Sequence, residues 1–459
     1  MNLSRPVYWL LAAAVVVGSF STAALAKPLQ LTTFAVDASP PIGSPLAYDP
    51  TKGIQEPLTL KGIILKGNQT VVLCAIDWIG VANTSQDDFK TAIAKAVDTK
   101  PELVMLHALH QHDAPEADAT TQAMLEEFGL SIEVRYDPKF VKDVIARAAD
   151  AAKEATGRFQ EVTDVGIGEG IIEKVASNRR ILGEDGKVKY VRFTATKDPV
   201  IRAQPTGTID PMCKAISFFH ADKPLVVMTF YATHPQSYYR TGLANPDFPG
   251  MARNQRQEAT DIFHIHFNGA GGNIGAGKWN DGAHENRQVL ADRVAAGMKL
   301  AWEDTQKFPV DADDMEMTSV EVLLPPAPHL VEENLVSILK DDKSNELDRW
   351  QAARELVSLR RYETKDGINI SCLKLGKARV VYMPGELFVE YQLAAQKMRP
   401  DLFVAMAAYG DYGPGYIGTE IAYSQGGYET SPRASRVSSR VEQVLTGAME
   451  KLLEVKSAK

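Results

Sequence analysis

Apolar and polar positions alternate with two periods along the chain, and the switch between them sets the expected elements. Leu58–Lys66 and Thr70–Ile79 are apolar β-type runs on either side of Gly67-Asn68-Gln69, which predicts a hairpin. Asp77 interrupts the second run, and a buried carboxylate there needs partners, so a structural hydrogen-bond acceptor is the first expectation. From Asn83 to Val97 the pattern changes to i, i+4, i+8, with Phe89, Ile93 and Val97 on one stripe. That predicts a helix capped by Thr84 or Ser85 with acids in its first turn. Apolar residues resume at Leu103 to Leu109 as a strand. Hairpin, helix, strand is an α/β rhythm.

The rhythm continues. Pro138 to Ala155 is amphipathic with proline in its first turn, a helix start. Asp164 to Ile172 alternates as a strand, and Pro224 to Ala232 is continuously apolar, as for a strand covered on both faces. A helical segment near Met251 to Thr260 precedes a strand over Asp261 to Asn268. His284 to Thr305 predicts a long helix, Met317 to Leu324 a strand, and Asn345 to Arg360 a charged surface helix. Ala378 to Met383 is a strand stopped by Pro384-Gly385, with a helix beginning near Glu386. Leu402 to Ala408 is a further strand, and Arg436 to Val455 a closing helix. No internal repeat or linker stands out. The weakest point is the proline-rich stretch ending region 310–328. The expectation is a mixed β-sheet core flanked by helices, one unit over residues 27–459.

Composition narrows the class. Arg5, the apolar run Leu10 to Ala26 and Ala24-Leu25-Ala26 before Lys27 predict a cleaved signal peptide over 1–26 and export to the periplasm or exterior. No later stretch is long and apolar enough to span a membrane. The net charge of −8 is spread in mixed signs without a basic stripe, which argues against nucleic acid. Three cysteines in no Cys-x-x-Cys pair exclude a disulfide scaffold and a thiolate zinc site, and Cys74 reads as a small core residue.

Candidate chemistry lies where strands stop. The run ending in His107-Ala108-Leu109-His110-Gln111-His112 carries three of the nine histidines before Pro115. In a strand, residues i and i+2 share a face, so His110 and His112 are expected to project together. The carboxyl end of such a strand is where open α/β sheets bind ligands. Thr233-His234-Pro235 repeats the pattern, Glu386 follows another strand, and Tyr416 sits in a tyrosine- and glycine-rich loop. Histidine and glutamate are ordinary zinc ligands, with tyrosine less usual, although spacing alone does not make the four converge. Gly269 to Gly277 matches neither a dinucleotide fingerprint nor a phosphate loop. His264 and His266 read as core or supporting residues, and the adjacent Arg179 and Arg180 as a solvated face.

Taken together, the motifs resemble the catalytic domain of the neutral/alkaline non-lysosomal ceramidases. That family's His-Thr-His-Ser-Gly-Pro is similar to His110-Gln111-His112-Asp113-Ala114-Pro115 here, and its Pro-Gly-Glu to Pro384-Gly385-Glu386. Its later strand-closing histidine resembles His234. Its metal-bound tyrosine and the Tyr-Glu pair twelve residues on resemble Tyr416 and Tyr428-Glu429. The likeness runs from Leu31 to about Thr430 as scattered short motifs. It implies a zinc ion held by His110, His234, Glu386 and Tyr416, and an amide (N-acyl) bond cut by metal-activated water. It also implies that His112, Tyr428 and Arg179 serve the reaction. Rival readings are a zinc esterase or sugar-amide hydrolase on the same scaffold, and an inactive domain that binds carbohydrate or lipid. Asp113-Ala114 departs from the family's Ser-Gly, Gly275 stands where the family has serine, and the family's trailing sandwich domain is not expected here. A charge on Asp113 beside the metal would disfavour anionic substrates. The expected substrate is a small or lipid-like N-acyl compound, with a soluble one, such as an N-acylated sugar or amino acid, preferred over long-chain ceramide.

Overall fold

A computed structural model describes residues 27–131 and 135–455; the expected signal peptide lies outside them. Three larger sheets carry the fold, of five, five and four strands, and all three are built alike. In the first, Leu29–Asp37, Thr59–Lys66 and Thr70–Ile76 run antiparallel in turn. Helix Thr84–Ala96 then returns the chain to Val104–Ala108, parallel beside Thr70–Ile76. The second repeats this with Asp164–Ile171, Met212–His220 and Lys223–Tyr231, helix Asp247–Thr260 and parallel strand Phe263–Asn268. The third repeats it with Met315–Val322, Ile368–Leu375 and Ala378–Tyr382, helix Val389–Met398 and parallel strand Phe403–Ala407. No repeat is visible in the residues themselves. Each strand position asks only for an apolar residue, and the connection after each first strand differs in length, so the repeat leaves no residue-level period.

Alternation along the strands builds the core. Ile63, Leu65 and Leu73 of the first sheet meet Phe218 and Met228 of the second and Leu373 and Val380 of the third in one shared interior. Their neighbours Ile64, Val72 and Cys74 point the other way, into a layer with Phe89, Val144 and Trp350 of the outer helices. Phe248, Leu290 and Val294 cover the second sheet, and Tyr391 and Leu445 the third. Both faces are therefore dry, which is why these strands read as continuous apolar runs. Burying each such side chain contributes about 1.5–3 kcal/mol. The three cysteines are buried and free.

Hydrogen bonds cross between the sheets at the ends of the three parallel strands. Ala108 N–H donates to Tyr409 O at 3.0 Å, and Ala408 N–H to Asn268 O at 3.0 Å. Asn268 N–H donates to His107 Nε2 at 3.0 Å, while His107 Nδ1 bonds Ala408 O. Both ring nitrogens of His107 are thus used, and burial lowers its pKa to about 3. His107 is thus a neutral clasp between sheets. The loops just beyond this clasp form the candidate site.

Several expected elements shift. Helix Pro138–Ala155 begins and ends as predicted, with Asp137 accepting from Phe140 N–H at 3.0 Å. Helix Thr84–Ala96 has Asn83 at its cap position and no side-chain cap bond. The hydroxyls expected to cap it bond to a neighbouring helix instead: Ser85 accepts from Ala119 N–H at 2.9 Å and Thr84 pairs with Thr120 at 2.8 Å. Helix Glu346–Glu363 is not a surface helix, since Trp350, Ala353, Arg354 and Leu356 are buried. The last helix is Val441–Leu452, which leaves Arg436 in the buried loop before it.

Candidate active site

His110 follows strand Val104–Ala108 in a loop and has a left-handed backbone, φ 68°. Such a φ is uncommon outside glycine and costs conformational energy. Tyr409, in the matching place after the third sheet's parallel strand, has φ 58° and stacks on His110 with ring centroids 4.6 Å apart. His110 and His112 do meet, with ring centroids 5.1 Å apart, but through this backbone reversal and not through strand alternation. His110 Nδ1 bonds Ile79 O at 2.6 Å, which directs Nε2 inward.

His234 and Glu386 arrive from the matching connections of the second and third sheets. Gly385 has φ 62°, and a Cβ there would lie 2.5 Å from Gly415 O, so only glycine fits the turn that presents Glu386. Glu386 pairs in register with Tyr416 in a short parallel ladder. Glu386 Oε2 is 3.3 Å from His110 Nε2 and 3.8 Å from His234 Nδ1. His112 Nε2 is 2.9 Å from His234 Nε2. The three histidines can each bring one ligand atom within 4.8 Å of the others. His110 Nε2 and Glu386 Oε2 are buried with no hydrogen-bond partner, which is costly unless something else occupies them. Burial holds His112 and His234 well below the usual imidazole range, so their lone pairs are available. Burial would raise Glu386, but His110 and the Tyr416 and Tyr412 hydroxyls outweigh it and keep the carboxylate ionised. Imidazoles, a carboxylate and a phenol that meet in a buried site, with His110 Nε2 and Glu386 Oε2 orphaned, are a donor set that fits zinc.

A second group stands beside the first. Arg179 Nη1 donates to the Tyr416 hydroxyl at 3.0 Å, and its Nε is 3.2 Å from Glu429 Oε1. Arg180 Nη1 reaches Glu429 Oε2 at 3.3 Å. The expected solvated arginine pair is therefore clamped on one buried glutamate. The glycine-rich loop places it: Ser177 and Asn178 pair with Gly275 and Ile274. A Cβ on Gly275 would lie 3.5 Å from Arg179 Cδ, so this position faces the arginine. The Arg179 guanidinium lies 5.7 Å from the Tyr416 ring and 5.9 Å from that of Tyr428. All seven residues singled out in the sequence thus stand around one point.

Others were missed. The Tyr48 hydroxyl is 3.0 Å from His112 Nδ1, and Gln236 Nε2 is 3.1 Å from it. Tyr412 donates to Glu386 Oε1 at 3.0 Å. Tyr412 could have been read from the tyrosine-rich loop; Tyr48 and Gln236 carry no motif. His264 and His266 are buried core residues, bonded to Ile262 O and Thr229. Asp113 departs from expectation. Its carboxylate accepts from Arg240 N–H and Thr241 Oγ1, both at 2.9 Å, and faces Arg287 at 3.4 Å. Its charge is spent on the loop after His234 and does not face the site. A cavity of about 160 Å³ opens onto Glu386, Tyr412, Tyr416 and Tyr428, whereas a larger one of about 240 Å³ near Lys90 and Arg361 touches none of the site residues.

No protein-family model matches the chain, and no curated protein sequence matches it. Solved structures do. A neutral ceramidase from Pseudomonas aeruginosa superposes with TM-score 0.67 at 16% identity, covering 94% of this chain and 76% of that one. The fold is ceramidase-like. A structure described as ceramidase complexed with C2 agrees, with TM-score 0.66 at 15% identity over 94% of this chain and 77% of that one. At such identity the likeness is one of fold, and the ceramidase-like framework accounts for the mixed sheets flanked by helices. Among the described residues, no helix is long and apolar enough to cross a membrane.

Proposed function

We propose that this chain is a zinc-dependent hydrolase that cleaves an amide, N-acyl, bond. The observation that carries the reading is the buried meeting of His110 Nε2 and Glu386 Oε2, both without partners, beside His234. His110, His234, Glu386 and Tyr416 hold the ion. Zinc supplies Lewis acidity and acidifies water towards pKa about 7. His112 is kept neutral by burial and its Nδ1 is held by Tyr48 and Gln236, which fixes the ring beside His234, where it would orient the water and assist proton movement towards the leaving nitrogen. Water's oxygen bonds to the acyl carbon as the C–N bond breaks, giving a carboxylate and an amine. Arg179, fixed by Glu429, and the Tyr428 hydroxyl at the cavity wall stabilise charge on the former carbonyl oxygen. The ceramidase-like fold supports an amide over an ester. The first 26 residues support export, and the amino terminus of the mature protein would then be Lys27. The reading is tested with zinc-loaded protein and a panel of N-acyl amides and matching esters. Acid release from amides that stops with chelator and returns with zinc is expected. No amide cleaved under any loading would overturn it.

A further inference from the structure

The cavity that opens onto the candidate site is walled by four arginines, Arg135, Arg354, Arg433 and Arg436. Their charges are poorly matched. Arg135 and Arg354 share one carboxylate, Glu116, at 3.4 and 3.0 Å. Arg436 is buried, donates to Gly413 O at 2.9 Å, and keeps a buried Nε without a partner. Neither Arg436 nor Arg433 makes an ion pair among the described residues, and Arg433 is exposed at the mouth. Facing them in the lining are Glu386, which the metal engages, and Asp348, which is exposed and bonds Asn345. Burial, with Arg354 beside it, lowers Arg436 to about 10, and the pull of Tyr412, Glu355 and Glu116 does not offset it. Asp113, the one acid expected to repel an anion here, is consumed elsewhere by Arg287 and the Arg240–Thr241 backbone.

Resting on the amide-hydrolase reading, we propose that this cavity is an anion subsite, and that the substrate carries a carboxylate, as an N-acyl amino acid does. Arginine forks pair with carboxylates through charge-assisted hydrogen bonds, and the cavity leads from them directly to Glu386, Tyr416 and Tyr428. A two-tailed lipid instead needs an extended apolar groove, and a guanidinium-lined wall would leave those groups unpaired against it.

The test compares N-octanoylglycine with its neutral partner, N-octanoylglycinamide. On zinc-loaded protein, kcat/KM for the acid is expected to exceed that for the amide by roughly tenfold or more, the scale of a charge-assisted bond. In Arg433→Gln and Arg135→Gln the acid-to-neutral ratio is expected to fall several-fold. A wild-type ratio of one or less, or variants that lower both substrates equally, would overturn the subsite. The second arm uses metal-free protein, in which neither compound is turned over, and reads Kd by calorimetry. The acid is again expected to bind about tenfold more tightly; equal affinities would overturn the proposal. Tighter acid binding with no amide cleaved after zinc loading would keep the subsite and reject the hydrolase reading.

Discussion

In the connection where the second and third sheets carry His234 and Glu386, the first sheet carries Asp77, and its use is structural. Asp77 and Arg253 are both fully buried, joined by two bonds of 2.6 and 3.0 Å. Thr59 adds its N–H at 2.8 Å and its hydroxyl at 2.9 Å. Arg253 comes from the helix of the second sheet, so the pair locks one repeat to the next. Arg253→Met keeps most of the packing volume but leaves the carboxylate with Thr59 alone. Breaking a buried pair from one side costs about 3–5 kcal/mol. The lower end is expected, because Lys61 lies close enough to feel both charges and gains a more favourable ammonium once Arg253 is gone. The assay is urea unfolding, reading the midpoint at constant slope. Asp77→Asn in the same background should recover part of the loss. A cost below about 1 kcal/mol at unchanged slope would refute the reasoning, since it falls beneath any broken buried pair. Loss of zinc with stability intact would instead make Asp77 part of the site.

Other consequences are nearer the chemistry. His112→Ala and Tyr428→Phe should retain zinc but lose roughly 10²-fold in kcat, the scale of one lost acid/base or oxyanion group; metal lost from His112→Ala would make it a ligand. Gly385→Ala forces a Cβ against Gly415 O, so it should displace Glu386 and weaken zinc affinity while the far-ultraviolet circular dichroism stays native. Burial, with Arg253 beside it, lowers Lys61 to about 7 in the folded protein, below its unfolded value, so the folded state holds fewer protons than the unfolded one above pH 7. Stability contributed this way is absent at low pH and rises between pH 7 and about 10.4; Lys61→Met should flatten that rise, and an unchanged pH profile would count against it.

How much of this was legible depended on how local each cause was. Helix Pro138–Ala155 was readable to its ends because its start is set by a proline and an adjacent cap residue. The hairpin over Thr59–Ile76 followed from its turn and apolar runs. His110, His234 and Glu386 stood out because each sits in a short motif just after a strand, and the structure brings these three together. The threefold repeat was not, because sheets buried on both faces specify apolarity and not identity. Arg179 was misjudged on residue statistics, since its burial depends on Glu429, far along the chain. Arg354 was placed on a surface helix for the same reason: its helix is rich in charge, and only packing shows that Glu116 waits for it inside. Asp113 was expected to charge the site, but its carboxylate is taken up by Arg287 and the Arg240–Thr241 loop, partners far along the chain.

The central claim is that His110, His234 and Glu386, with Tyr416, hold one zinc ion. The most direct measurement is the zinc content of purified protein after incubation with zinc and exhaustive dialysis, compared among wild type, His110→Ala and His234→Ala. The account predicts one zinc per chain in the wild type and little in either variant. A wild type that retains no zinc, or variants that keep the full complement, would contradict it.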